Sequence, residues 1–371
     1  MNTTPFVFRL PRSHSFFPIN SIFSSCTPRS YPYPSQRRAR SIRLHPYPAV
    51  RSSSKTITTT ISTTMPSQPR IHLVRHAQGF HNLGFEFHSL PDPKLTPLGE
   101  SQCAALQSKH FPPQSQSNIS LVTASPLSRT LHTAHLTFSP ALSNGKCQPL
   151  ILAVPDAQET SDFPCDTGSD VDVLRGIIAE QNWKVDLSLV NEGWNIKTVN
   201  NRYSPASRAI QRRARDARIL LRQKARELAE AGDEDVEIVL VAHGGYLHYL
   251  TDDWEDSDKL AGTGWENCEF RTYTFEHDFM SDSDEEAYFS ETMESRRRRG
   301  KDHPMLGHEK QKELFNLSMQ GWEDQGLQRA DKLGAEDEAS QPLDDEERTG
   351  QEPAAKNMDL DRQTGEVEVM A

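Results

Sequence analysis

The chain reads as α/β, a three-layer α/β/α sandwich around a mainly parallel central sheet. Three observations predict this. Short β-branched apolar runs alternate with helix-period segments between residues 70 and 277. The connections between them are short. One run, "VEIVLVA" at 236–242, is apolar almost throughout, as a centre strand covered on both faces must be.

The elements follow in order. "RIHLVR" (70–75) is a buried strand. "LTPLGESQCAALQSKHF" (95–111) is a helix, with Thr96 as cap and Pro97 in the first turn. "ISLVTASP" (119–126) is a second strand, and "LSRTLHTAHLTF" (127–138) a helix with Leu127, Leu131, Ala134 and Phe138 on one side. "PLILAVP" is a third strand. "SPASRAIQRRARDARILLRQKARELAEAG" is a long helix with Ile210, Ala214, Ala217, Leu220, Leu221 and Leu228 on one stripe, ended by Gly232. The fourth strand runs into His243, and "WENCEFRTYTFE" has the polar alternation of an edge strand.

Both flanks differ from this middle. Residues 1–69 carry Ser, Thr, Pro and Arg without a sustained period, and residues 1–70 hold ten Lys and Arg but no acid. Two readings stand: a mitochondrial transit peptide, or a start at Met65 that leaves the preceding residues untranslated. Residues 278–371 alternate charge blocks such as "DSDEEAY" and "EDEASQPLDDEER", and read as a mostly disordered tail. A lone helix is expected there at 305–320. The domains are therefore an N-terminal extension (1–69), a catalytic domain (70–277) and the tail (278–371).

Of 371 residues, 35% are hydrophobic and the net charge is −11. Beyond residue 70 the balance is 31 basic against 52 acidic residues. Such an acidic body argues against nucleic-acid binding, which needs a positive surface. No apolar run approaches the roughly 20 residues of a membrane span. The five cysteines form no Cys-x-x-Cys pair. They read as reduced intracellular thiols, so the cytoplasm is the expected location, with the nucleus open and the mitochondrion if the extension is a transit peptide.

In a parallel sheet ligands meet the carboxyl ends of the strands. Arg75 and His76 follow strand one, Ser125 and Arg129 strand two, Glu159 strand three and His243 strand four. A neutral imidazole is a good nucleophile toward phosphorus. Two arginines and a second histidine offset phosphoryl charge, and a carboxylic acid protonates the leaving oxygen. Arg75, His76, Arg129, His243 and Glu159 make up such a set. No cofactor or metal is required.

These residues carry a resemblance. "LVRHAQGFHN", "LTPLGESQ", "SPLSRTLHTA" and "VAHGGYL" resemble the four successive motifs of the histidine phosphatase superfamily, in its phosphoglycerate-mutase-like branch. "ETSDFPCDTGSD" and "GWENCEFRTY" resemble its fungal members. The resemblance implies the phosphoglycerate-mutase-like fold and a phosphohistidine on His76. It further implies phosphoryl binding by Arg75, Asn82, Arg129 and His243, and proton donation by Glu159, with Asp156, Asp162 and Asp166 as nearby competitors. Gln78-Gly79 stands where mutases show Glu-Ser, which speaks for a phosphatase acting on a small phosphomonoester. A phosphomutase is the nearest alternative. A non-catalytic phosphate- or phosphoprotein-sensing module is the alternative of another class. The substrate's identity and the oligomeric state are left open.

Other features have plainer readings. Cys165 reads as an incidental thiol. His81, His88, His132, His135 and His248 read as surface or helix-packing residues. The long-helix arginines Arg208, Arg212, Arg213, Arg215, Arg218, Arg222 and Arg226 read mostly as a solvated face, with one or two open to the pocket and a substrate anion. The run Arg296–Arg299 reads as a solvated run in preference to a nuclear-import or nucleic-acid patch.

Overall fold

Arg70–Arg75 form β1, in which Ile71 and Val74 have high β propensity and Ile71, Leu73 and Val74 are buried. Ile71 and Leu73 point to one face of the sheet and Val74 to the other. The computed structural model describes residues 67–333, apart from 144, 258–262 and 282. The readings made for residues 1–66 and 334–371 lie outside the described residues.

Seven strands make one sheet: β1, β2 (Leu121–Ala124), β3 (Ile151–Ala153), β4 (Val185–Asp186), β5 (Glu237–Ala242), β6 (Phe270–Phe275) and β7 (Phe289–Glu291). The order is β4-β3-β2-β5-β1-β6-β7. The first five are mutually parallel, and β6 and β7 are added antiparallel. The mainly parallel sheet expected from the alternation of elements is the sheet observed.

The helices are α1 (Pro97–His110), α2 (Ser128–Phe138), α3 (Val171–Glu180), α4 (Ser207–Glu230), α5 (Gly244–Thr251), α6 (Met293–Arg298) and α7 (His308–Asp324). Alternate residues of β5 serve the two faces. Ile238, Leu240 and Ala242 join the core beneath α4, α5 and α7. Val239 and Val241 join the core beneath α2 and α3. A centre strand must be apolar on both sides to do this, hence the unbroken run in the sequence. The cap of α1 is as expected: Gly99 N–H donates to Thr96 Oγ1 at 3.0 Å, and Pro97 occupies the first turn.

Three expectations are corrected. First, the folded domain does not end at 277. β7 pairs with β6, so "WENCEFRTYTFE" is not the edge; Phe289 is fully buried, and α7 packs Met319 and Trp322 into the core. The lone helix expected at 305–320 is anchored there, and Trp254 N–H donates to Gln311 Oε1 at 2.8 Å. Charge blocks hid the sparse large apolar residues. Second, the arginines of α4 are not all solvated. Arg215 and Arg218 donate to the main-chain oxygens of Glu285 and Glu286 at 3.1 and 2.9 Å. Arg222 and Arg226 hold the carbonyls of Asp284, Phe279 and Ser281. Third, Arg296 is fully buried between Glu255 and Glu291. Arg218, Arg222 and Arg296 are buried, and Arg215 and Arg226 partly so, because carbonyls or carboxylates distant in sequence accept their N–H groups.

Among the described residues no helix is long and apolar enough to cross a membrane.

Candidate active site

The carboxyl ends of β1, β2 and β5 sit side by side, so the residues that leave them converge. Arg75 ends β1 and His76 follows it. Arg129 lies in the first turn of α2, after β2. His243 is the residue between β5 and α5. The His76 and His243 ring centres are 5.2 Å apart.

Arg129 is fully buried and ties the group together. Its Nε donates to His76 Nε2 at 3.2 Å. Its Nη1 donates to Cys165 O at 2.5 Å. Its Nη2 meets Asp166 Oδ1 at 2.9 Å and His243 Nδ1 at 3.0 Å. A guanidinium can only donate, so both histidine nitrogens facing it carry lone pairs. The tautomers follow from that network. His76 Nδ1–H donates to Ala77 O at 2.7 Å, and His243 Nε2–H donates to Ser125 Oγ at 2.9 Å. The Nε2 lone pair of His76 therefore faces the cationic centre of the pocket.

Electrostatics keep it neutral. Burial, then the charges of Arg129 and Arg75, holds His76 well below the usual imidazole range. Burial and Arg129 do the same to His243. Arg75 gives Nη1 to the carbonyl of Trp265, while its buried Nε has no hydrogen-bond partner. A buried guanidinium N–H left over in a cationic pocket suits an anion.

Glu159 stands across the pocket on the N-terminus of α5. Its Oε1 accepts from Tyr246 N at 2.8 Å and Thr160 N at 2.9 Å, and its Oε2 from Gly245 N at 3.2 Å. A side chain at residue 245 would put its Cβ 2.8 Å from Glu159 Oε1, so glycine is needed for the approach. The helix amides favour the carboxylate. Burial and the neighbouring Asp166 nonetheless win and raise the Glu159 pKa above the ordinary value.

Residues 71–142 match the profile of the histidine phosphatase superfamily (branch 1). The chain carries a histidine phosphatase superfamily domain. It is 28% identical over 247 residues to a phosphoglycerate mutase-like protein of Arabidopsis thaliana, covering 54% of this chain and 82% of that one. Phosphoglycerate mutase-like protein 2 of the same plant is 46% identical over 91 residues, 22% of this chain and 26% of that one. Among solved structures, a mycobacterial glucosyl-3-phosphoglycerate phosphatase is similar at 18% identity and a TM-score of 0.35, over 61% of this chain and 97% of that one.

The fold thus brings Arg75, His76, Arg129 and His243 together, with the Glu159 carboxyl close enough to interact with Arg75 and Arg129. Asn82 lies beside them, but its Oδ1 accepts Gly79 N–H at 3.0 Å and so braces the loop after His76. Asn267, unmarked in the sequence reading, donates to His76 O at 3.1 Å. His81 is not a surface residue: it is 7% exposed and its ring centre is 5.3 Å from that of His76. Its place directly before Asn82 was the available signal. Asp166 pairs with Arg129, which puts it in the site rather than merely near it. Cys165 keeps an inert thiol, pushed up to about 12 chiefly by burial, while its carbonyl serves Arg129. Among the described residues no group of three or more His, Cys, Asp or Glu is placed to hold a metal ion.

Proposed function

We propose that this protein is a phosphatase that hydrolyses a small phosphomonoester through a phosphohistidine on His76. One observation carries the reading. The Nδ1–H of His76 is fixed on the adjacent carbonyl, which leaves Nε2 as a neutral, buried lone pair among Arg75, Arg129 and His243. A structural histidine satisfies both nitrogens with protein partners that need no exchange; this one spends its lone pair on a cation that prefers an anion.

Substrate binding trades the Arg129–His76 bond for bonds from Arg129 and Arg75 to phosphoryl oxygens. His76 Nε2 then forms the P–N bond as the ester P–O bond breaks, and Glu159 passes its proton to the leaving oxygen. In the second half, the Glu159 carboxylate takes a proton from water, hydroxide attacks phosphorus, the P–N bond breaks and phosphate leaves. Arg129 and His243 hold the equatorial charge in both halves. The raised pKa of Glu159 suits an acid that must hold a proton at the start and accept one later.

The test is acid-quench trapping with a labelled phosphomonoester. Acid-labile label is expected on His76, and none in His76→Ala, which should also release no phosphate. Full phosphate release by His76→Ala would remove the mechanism. The location proposed is the cytoplasm, checked by imaging the full-length protein in its own cells.

A further inference from the structure

Glu159 belongs to loop 156–161, and the main chain of that loop is gripped by two buried cations. Arg213 of α4 is fully buried. Its Nη1 donates to Asp156 O at 2.7 Å and Gln158 O at 2.5 Å, and its Nη2 to Glu159 O at 3.0 Å. Lys197, from the irregular segment before α4, is 8% exposed. Its Nζ donates to Glu159 O at 2.7 Å and Ser161 O at 2.6 Å. Two cations from separate parts of the chain therefore meet on one carbonyl, that of the residue whose carboxyl interacts with Arg75 and Arg129.

The grip reaches the phosphoryl side as well. Ser161 Oγ donates to Asp166 Oδ2 at 2.6 Å, and Asp166 Oδ1 holds Arg129. Loop 156–161 is thus fixed to both the acid and the arginine that faces the nucleophile.

Such a device is costly. An ammonium buried against neutral carbonyls loses its water without gaining a carboxylate directly on Nζ. Burial pushes the Lys197 pKa down to about 7, against the weaker pull of Asp166 and Glu159 and with Arg213 and Arg129 adding repulsion. An apolar side chain would fill the same space more cheaply, but it could not draw two carbonyls inward. The Glu159 carboxylate, at the other end of the residue, rests on the α5 amides. Backbone and side chain of the one residue are thereby held from opposite directions.

We propose that Lys197 and Arg213 are positioning residues for proton transfer, which set the Glu159 carboxyl over the leaving-group oxygen. The proposal rests on the reading of Glu159 as proton donor. Misplacing a reacting group by about 1 Å can cost about 10²-fold. The loss should fall on substrates that need the proton: an alkyl phosphate leaves as a basic alkoxide, whereas nitrophenolate leaves unaided.

The experiment compares kcat for an alkyl phosphate and for nitrophenyl phosphate in the full chain, with wild type, Lys197→Met, Glu159→Gln and the double variant. Lys197→Met is expected to lower the alkyl-to-nitrophenyl ratio about tenfold or more, and to lower it no further in the Glu159→Gln background. If Glu159→Gln leaves the ratio unchanged, the proton-donor reading fails and the positioning role goes with it. If Glu159→Gln lowers the ratio but Lys197→Met does not, or lowers it equally in both backgrounds, the proton-donor reading stands and the positioning role is overturned. Should Lys197→Met show no cooperative melting transition, Arg213→Lys takes its place with the same expected and refuting ratios, since one ammonium cannot span the three carbonyls that the guanidinium bridges.

Discussion

Replacing Arg129 by lysine keeps the charge and removes the geometry. In the protein three nitrogens of one planar group reach four acceptors: His76 Nε2, Cys165 O, Asp166 Oδ1 and His243 Nδ1. An ammonium is a single point with three N–H groups. It cannot serve His76 and Cys165 on one side and Asp166 on the other. Asp166 is the ion-pair partner of residue 129, whereas His76 offers only an uncharged ring nitrogen, so the ammonium is drawn to Asp166. The donor facing the phosphoryl group is then lost. Loss of one preorganised donor costs about 2.7–4 kcal/mol, or roughly 10²- to 10³-fold in kcat. The assay is steady-state release of nitrophenolate, which isolates phosphoryl-charge stabilisation because its leaving group needs no acid. Vanadate inhibition should weaken in parallel, since vanadate adopts the geometry of the transferring group. A specificity constant for Arg129→Lys within threefold of wild type would refute the placement of Arg129 at the reacting phosphoryl group.

Three further outcomes are expected. Trp322→Ala should cost about 3–5 kcal/mol and lower Tm by roughly 6–20 °C, because Trp322 is 2% exposed within the core beneath α4 and α5; an unchanged calorimetric Tm would detach α7 from the domain, and a chain ended at 278 should fail to fold. Stability should fall as the pH drops below about 6.5: His76, His81 and His243 are held well below that value in the folded protein, so the unfolded chain takes up protons first. The three together amount to about 3 kcal/mol between pH 6.5 and 5.5, partly offset by Glu159, whose shift is in the other direction; urea unfolding at both values decides, and His81→Gln should reduce the slope by about a third. Finally, Asn82→Asp should keep the melting temperature while Asn82→Ala lowers it, because the aspartate still accepts the Gly79 amide; equal melting by both variants would mean that the brace contributes nothing.

The frame of the site was legible because each piece lies at a strand end, where the sequence advertises itself by a change from apolar to polar. Arg75 and His76 close β1, and His243 closes the most apolar run in the chain. The two histidines and Arg129 needed only the rule that parallel strands deliver to one edge. What escaped the reading was everything held by main-chain oxygens. Lys197 and Arg213 grip carbonyls, and a carbonyl has no letter in a sequence. The same holds for Arg215, Arg218, Arg222 and Arg226, whose partners lie 53 to 70 residues away. The C-terminal boundary failed for a related reason: Phe289, Met319 and Trp322 are single large residues among charges, too widely spaced to make a period, yet each finds a place prepared by elements much earlier in the chain.

That order of supply bears on how the protein is made. When α4 emerges from the ribosome, its arginines Arg215 to Arg226 have no carbonyls of residues 279–286 to meet, and the face that will receive Met319 and Trp322 is bare. At about 5–20 residues per second, the stretch from the end of α4 to the last described residue takes roughly 5–20 s to synthesise. At the start of that interval β1 and β2 still lack β5, the strand that lies between them, and the helix lacks its partners. The domain closes only when its last segment arrives, so a ribosome that stalls after residue 230 leaves an apolar, cationic helix for chaperones to shield.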